Sequence, residues 1–288
     1  VISSLLRTLR FISAHPLASQ NLSLAIKQWL KWQVGARILR MPVVMPFMGN
    51  AKLIVELGMT GATGNIYTGL HEFWDMAFCL HVLRQDDLFV DVGANIGSYT
   101  VLASRVVGAK SIAFEPVPKT FNHLLQNVNI NQINSLVDSV CCAVGKENGS
   151  VIFSSDNDTM NKVVDEAYSG KSIEVPVKSL DDLLNTLQPS VIKIDVEGFE
   201  EEVIQGALNI LKCDSLLAIM LETVNPKIES LLQISGFVPA SYNPFTRELL
   251  TPPKLDHKSN NYLWIKNYSK AAERCKTSPP YQALGISF

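Results

Sequence analysis

The stretch Leu88-Phe89-Val90-Asp91-Val92-Gly93-Ala94-Asn95-Ile96-Gly97-Ser98-Tyr99-Thr100 constrains this chain more than any other. Leu88 to Val92 is a short apolar run of strand type. Gly93 and Gly97 permit a tight turn and a close backbone approach by a ligand. Residues 96–107 then carry apolar side chains at helical spacing. Strand, glycine turn and helix in that order open an α/β sheet. In such sheets ligands sit in the crevice beyond the carboxyl ends of the strands. The turn from Asp91 to Gly97 is therefore where a cofactor is expected.

The rest of the chain repeats the alternation. Strands are expected at 111–115, 136–144, 191–195 and 215–222, with helices at 72–83, 118–131, 179–187, 199–212 and 226–235. Residues 150–154 and 172–178 form an added hairpin, and 237–242 pairs with 262–266 at the end of the sheet. A short strand covers 51–57. Residues 41–49 form a connector, and the four glycines in 58–69 mark a loop. The main strands are near-continuous apolar runs, as a sheet covered on both faces requires. The fold class is α/β, a doubly wound and mostly parallel sheet with an antiparallel terminal hairpin. We divide the chain into an N-terminal helical extension (1–57), a main domain (58–270) and a polar surface tail (271–288).

Charge is uneven along the chain. The net charge is −2, which gives no global signal for nucleic acid, yet residues 1–55 hold seven Lys or Arg and no acid, leaving −9 for the remainder. Two amphipathic helices account for the basic segment. Leu5, Leu9 and Ile12 share one face, and Leu22, Ala25, Ile26 and Trp29 share another. These faces would pack on the main domain or lie on an anionic membrane surface. No apolar run reaches the ~18 residues of a membrane span. The five cysteines lack metal-ligand spacing and fit reduced thiols of a cytoplasmic protein, possible peripheral membrane contact aside.

Which cofactor the turn holds follows from its first residue. A dinucleotide fingerprint requires Gly-x-Gly-x-x-Gly. Here Asp91 stands at the first glycine position, ahead of Gly93, Asn95 and Gly97. An acid there repels a pyrophosphate and suits a cofactor with a cationic amino-acid part, which argues against an NAD-dependent oxidoreductase. S-adenosyl-L-methionine has an α-amino group, a carboxylate and a sulfonium. Glu115 ends the next strand, about 20 residues on, where a carboxylate can take ribose hydroxyls.

Three segments resemble the FkbM family of S-adenosylmethionine-dependent methyltransferases: Asp91 to Thr100, Phe114-Glu115-Pro116, and Ile192-Lys193-Ile194-Asp195-Val196-Glu197-Gly198-Phe199-Glu200. The resemblance covers roughly residues 64–222. It implies a class I methyltransferase fold with strand order 3-2-1-4-5-7-6. It also implies O-methylation of a hydroxyl on a saccharide, glycolipid or related natural product. By the same resemblance Asp91, Gly93, Asn95 and Gly97 line the methionine end, Glu115 takes the ribose, and Pro116 and Ala143 lie near the adenine. Tyr67 and Glu72, in the segment before the sheet, are expected to border the cofactor. A non-catalytic S-adenosylmethionine-binding module is the alternative. Asp195→Asn would leave such a module's binding intact and abolish transfer by an enzyme.

Asp195 and Glu197 are two apart where the fourth strand ends, so both point to one face. With Glu200 they crowd three carboxylates together. At least one pKa should rise, which makes Asp195 or Glu197 the candidate general base. Glu200 and Glu201 are equally suited to the positive end of the helix that follows. A cation held by Asp195, Glu197 and Glu222 is the competing use of these acids. With no His among them, the site is read as metal-free. His71 is a second candidate base, and 156–161 is a polar loop suited to saccharide hydroxyls. The segment after the fourth strand lacks the aromatic platform that holds a flipped base.

Overall fold

The structure, a computed structural model, describes residues 2–154, 168–253, 259 and 261–288. The polar loop 156–161 lies outside the described residues. The chain begins with α1 (Ile2–Ala14) and α2 (Leu22–Leu39), then the hairpin β1 (Val43–Pro46) and β2 (Lys52–Val55). Next come α3 (Thr60–Thr68), α4 (Phe73–Val82), β3 (Leu88–Val92) and α5 (Ser98–Val101), which runs on as a π-helix through Val107. Then follow β4 (Lys110–Phe114), α6 (Pro118–Ile130), β5 (Val137–Val140), β6 (Ala143–Val144), β7 (Gly149–Ser154), β8 (Ser172–Lys178) and α7 (Leu180–Leu183). β9 (Val191–Ile194), α8 (Glu200–Gln205), β10 (Ala218–Leu221) and α9 (Pro226–Ile234) complete the alternation. The chain closes with β11 (Val238–Asn243), β12 (Glu248–Leu250), β13 (Tyr262–Ile265), α10 (Tyr268–Thr277), β14 (Gln282–Ala283) and β15 (Ile286–Ser287).

The main sheet has eight strands in the order β12-β11-β13-β10-β9-β3-β4-β5. From β5 to β10 the neighbours are parallel, whereas β13 runs antiparallel to both β10 and β11. Without the edge strand β12 this is the class I order 3-2-1-4-5-7-6. The central strands β9 and β10 are buried at every position, β10 as an unbroken apolar run and β9 with one buried lysine, Lys193, within it.

Register decides what the carboxyl edge of the sheet can do. Asp91 pairs with Lys193 across β3 and β9, and Val92 pairs with Ile194. Ile194 pairs with Leu221 across β9 and β10. Gly93, Asp195 and Glu222 are the next residues on their chains, so they arrive side by side.

Several expectations need correction. Within the expected loop 58–69, Thr60–Thr68 form a helix, α3, despite their glycines. Gly64 has a packing reason to be there, since a Cβ would lie 2.0 Å from His71 Nδ1. The connector 41–49 carries β1. The run 136–144 is not one strand, because it breaks at Cys141; β6 then pairs with β8 in a separate three-stranded sheet. Residues 271–288 are no surface tail. Ala271 and Cys275 of α10 are fully buried, Arg274 Nη1 lies 2.6 Å from Asp87 Oδ2, and Phe288 packs edge-on to Phe73. The polar residues that suggested a tail, Lys270, Glu273 and Lys276, form the outer face of an amphipathic helix.

The N-terminal helices pack on the domain. Ile12, Ala25, Trp29 and Trp32 join Leu53, Ala94, Ile96 and Leu124 in one cluster. No described helix is long and apolar enough to cross a membrane.

Candidate active site

A cavity of about 260 Å³ lies at the carboxyl ends of β3, β4, β9 and β10. The glycine turn forms its floor. Gly93 (φ +77°) and Gly97 (φ +85°) both have left-handed backbone. A Cβ on Gly93 would lie 1.9 Å from the Asp195 carbonyl oxygen. Two constraints thus coincide there, a disfavoured conformation and main-chain contact. Gly93→Ala is expected to cost about 2–5 kcal/mol of stability and to weaken donor binding together with it. Thermal unfolding and calorimetry check both effects, and an alanine variant with wild-type values would contradict this role of the turn.

Asp91 is buried at the end of β3. Its Oδ2 accepts from the Thr100 main-chain N–H at 3.1 Å and from Thr100 Oγ1 at 2.6 Å. The acid therefore ties the strand to the following helix while bordering the cavity. Glu115 accepts two main-chain N–H bonds, from Asn95 at 3.0 Å and Val117 at 2.9 Å. Burial nevertheless pushes its carboxyl up to about 7. Each bonded oxygen keeps a lone pair, so the group can still accept from a ligand hydroxyl.

The charge cluster beside the turn centres on Lys193, which is 3% exposed. Its Nζ lies 2.6 Å from Asp195 Oδ2 and 4.6 Å from the centroid of the Tyr99 ring. Burial opposes its charge, but Asp195, Glu72 and Asp91 outweigh that and hold it protonated. Burial also pushes Asp195 upward, and Lys193 overrides it, leaving that carboxyl below its ordinary range. Glu222 behaves oppositely. Burial, then the negative charges of Asp195 and Glu197, raise it to about 7. One Glu222 oxygen bonds to Asp195, whereas Oε2 is buried with no hydrogen-bond partner. Asp195, Glu197 and Glu222 bring carboxylate oxygens within 4.8 Å of one another.

Most of the residues singled out in the sequence meet in this cavity. Glu72, Asp91, Gly93, Asn95, Glu115, Pro116, Asp195 and Glu197 all line it, and Gly97 turns the chain beside it. Two candidates do not belong there. Tyr67 faces α2, and its hydroxyl accepts from Gln33 Nε2 at 3.1 Å. Gly61, Ala62 and Asn65 present α3 to the cavity, and Tyr67 falls on the opposite side of that helix. Ala143 packs with Val117, Phe153 and Val177 in a separate cluster, and Phe153 reaches the cavity instead. Glu200 is buried and bonded to Thr223 Oγ1 and the Gly198 N–H, which makes it an organiser of the turn. Beside β9 the structure lowers Asp195, and the carboxyl it raises there is Glu222, from the neighbouring strand. Sequence reading gave Lys193 no role, although a lysine inside Val191-Ile192-Lys193-Ile194 was the available signal.

A second, smaller cavity of about 160 Å³ adjoins the first through His71 and Glu72. Phe11, His15, Phe73, Trp74 and Asp75 form most of its remaining wall. Burial lowers His15 to about 4 and lowers His71 as well, so both rings are neutral near pH 7.

The Methyltransferase FkbM domain matches residues 91–248, more than half of the chain. The chain belongs to the FkbM methyltransferase family. Among its relatives is Methyltransferase 1 of Beauveria bassiana, 27% identical over 202 residues, 60% of this chain and 80% of that protein. The hexuronic acid methyltransferase AglP of Haloferax volcanii is 30% identical over 152 residues, 51% of this chain and 62% of that protein. An FkbM methyltransferase structure from Methylobacillus flagellatus superposes with a TM-score of 0.43 at 17% identity, covering 64% of this chain and 44% of that one.

Membership makes this chain a methyltransferase with S-adenosylmethionine as its cofactor, and sets aside the oxidoreductase alternative. The residues fit that cofactor. The Gly93 turn packs directly on the Asp195 main chain and leaves Ala94, Asn95 and Ile96 lining the cavity, and acids surround the place for a cationic group.

Proposed function

We propose that this FkbM methyltransferase methylates a hydroxyl group on an uncharged acceptor, a saccharide, glycolipid or related natural product. The observation that carries this reading is Glu222, a carboxyl raised to about 7 with one buried oxygen left unpaired in an acid-lined cavity. Such a group is half ionised near neutrality, where a general base works best. The one Lys or Arg among the described cavity residues, Lys193, is engaged by Asp195. An anionic acceptor would therefore meet carboxylates without a free cation, whereas a neutral alcohol pays no such penalty.

S-adenosylmethionine supplies an electrophilic methyl group on a sulfonium. Asp91, Gly93, Asn95 and Gly97 are assigned to its amino-acid end, Glu115 to the ribose, and Pro116 with Phe153 to the adenine. Glu72 is assigned a place where the two cavities meet. Glu222 removes the acceptor's proton as the oxygen attacks, and Asp195, held ionised by Lys193, can share the proton that Glu222 takes up. Holding the hydroxyl at attack distance supplies much of the remaining acceleration. The aromatic walls of the smaller cavity suit the C–H face of a sugar ring, and Glu72 and Asp75 can accept from its hydroxyls. A hexuronic acid methyltransferase among the relatives supports the saccharide part of the reading.

Incubation with methyl-labelled S-adenosylmethionine and a panel of neutral glycans, glycolipids and uronic acids tests it. Label should enter the neutral acceptors and resist mild alkali, as a methyl ether does. Label released by alkali as methanol would mean a methyl ester and would overturn hydroxyl transfer. Donor binding without transfer to any acceptor would favour a non-catalytic module.

A further inference from the structure

Helix α2 is apolar on two opposite sides, and the domain covers only one of them. Ala25, Trp29, Trp32 and Ala36 are buried against the domain. Half a turn away, Leu30 (50% exposed), Val34 (59%) and Ile38 (74%) form an i, i+4, i+8 stripe in solvent. Met41 and Val44, both more than half exposed, follow beyond its end. A helix apolar all round is ordinarily buried all round. Contiguous exposed apolar side chains of this size mark a contact surface.

The surroundings of the stripe identify the contact. Lys27, Lys31, Arg37 and Arg40 are exposed along or beside it, and Arg7 and Arg10 of α1 are exposed as well. No Asp or Glu occurs among residues 1–55. Two copies meeting through this stripe would set like charges against each other with no local acid to pair them. Apolar side chains flanked by Lys and Arg suit the boundary between acyl chains and anionic headgroups. No described helix is long enough and apolar enough to span a membrane, so α2 would lie in the interface plane.

We infer that the outer face of α2 seats the protein on an anionic lipid surface. This does not rest on the acceptor assignment above. It differs from the sequence-based expectation in which face is used: the Ala25 and Trp29 side is taken up by the domain, and the Leu30, Val34 and Ile38 side meets the lipid. Helix α3 separates α2 from the cavity, with Gln33 bonded to Tyr67 on one side and Asn65 lining the cavity on the other. Lipid docking would thus hold the cavity one helix away from the bilayer.

Co-sedimentation of the full chain with phosphatidylcholine vesicles, with and without phosphatidylglycerol, tests the inference. Binding to the anionic vesicles should exceed binding to neutral ones by at least ~10-fold at low salt and weaken at high salt. The triple variant Leu30→Gln/Val34→Gln/Ile38→Gln should bind at least ~10-fold less, with unchanged circular dichroism and donor binding. Ile38→Gln alone should give an intermediate loss and serves if the triple variant folds poorly. Equal binding by wild type and Ile38→Gln, or no binding to anionic vesicles, would overturn it. So would self-association abolished by the same substitutions in a protein that ignores vesicles.

Discussion

Glu222→Gln is expected to lower the methyl-transfer rate by ~10²–10³-fold while leaving donor affinity nearly unchanged. The substitution keeps the shape of the side chain and removes its ability to take a proton. Its pH behaviour separates a base from a mere contact. A base acts when deprotonated, and Glu222 is raised to about 7 by burial and by the neighbouring acids. Wild-type kcat should therefore climb from pH 6 to pH 8 with a midpoint near 7, and the Gln variant should be flat over that range. An unchanged slope in the variant would reassign the proton transfer to another group. Full activity in the variant would leave positioning alone as the source of the acceleration.

Lys193→Met should be the most destabilising single change at the site. It leaves Asp195 without its ion pair and Asp91 without the positive charge beside it. Breaking a buried pair from one side costs about 3–5 kcal/mol, and because Asp195 is 31% exposed the lower end of that range, about 3 kcal/mol, is expected. For a chain of this size that is a fall in Tm on the order of 10 °C. Removing both charges tests the cause. Lys193→Met/Asp195→Asn should recover part of the lost Tm, since Asp195 then carries no unpaired charge and only Asp91 still lacks its cation. A double variant no more stable than the single one would show that lysine packing, and not charge, was responsible. Activity should stay low in both, because Asp195 can no longer steer the Glu222 proton.

The parallel strands β3, β9 and β10 were legible in the sequence because they are near-continuous apolar runs too short for anything but a covered strand. The glycine turn after β3 was legible because Asp91, Gly93 and Gly97 report backbone and charge requirements locally. What escaped was whatever depends on register or rotation. Glu222 lies on a different strand from Asp195, and only the pairing of β9 with β10 sets them side by side. Lys193 meets Asp91 for the same reason across β3 and β9. Tyr67 was misplaced because glycines hid the helix that turns it away from the cavity. Ala143 was misplaced because its run of residues changes sheets after Cys141.

The wall of the smaller cavity bears on the order in which the protein becomes competent. Phe11 and His15 come from the first helix and its end, Phe73 from the start of α4, and Phe73 is braced by Phe245 and Phe288 from the far end of the chain. The contacts of Phe73 with Phe245 and Phe288 close long loops and are expected to form late for that reason. The turn proposed to hold the donor needs only strands β3, β4 and β9 around it. On the proposed assignment, a nascent or partly unfolded molecule would regain its hold on the donor before the smaller cavity is built.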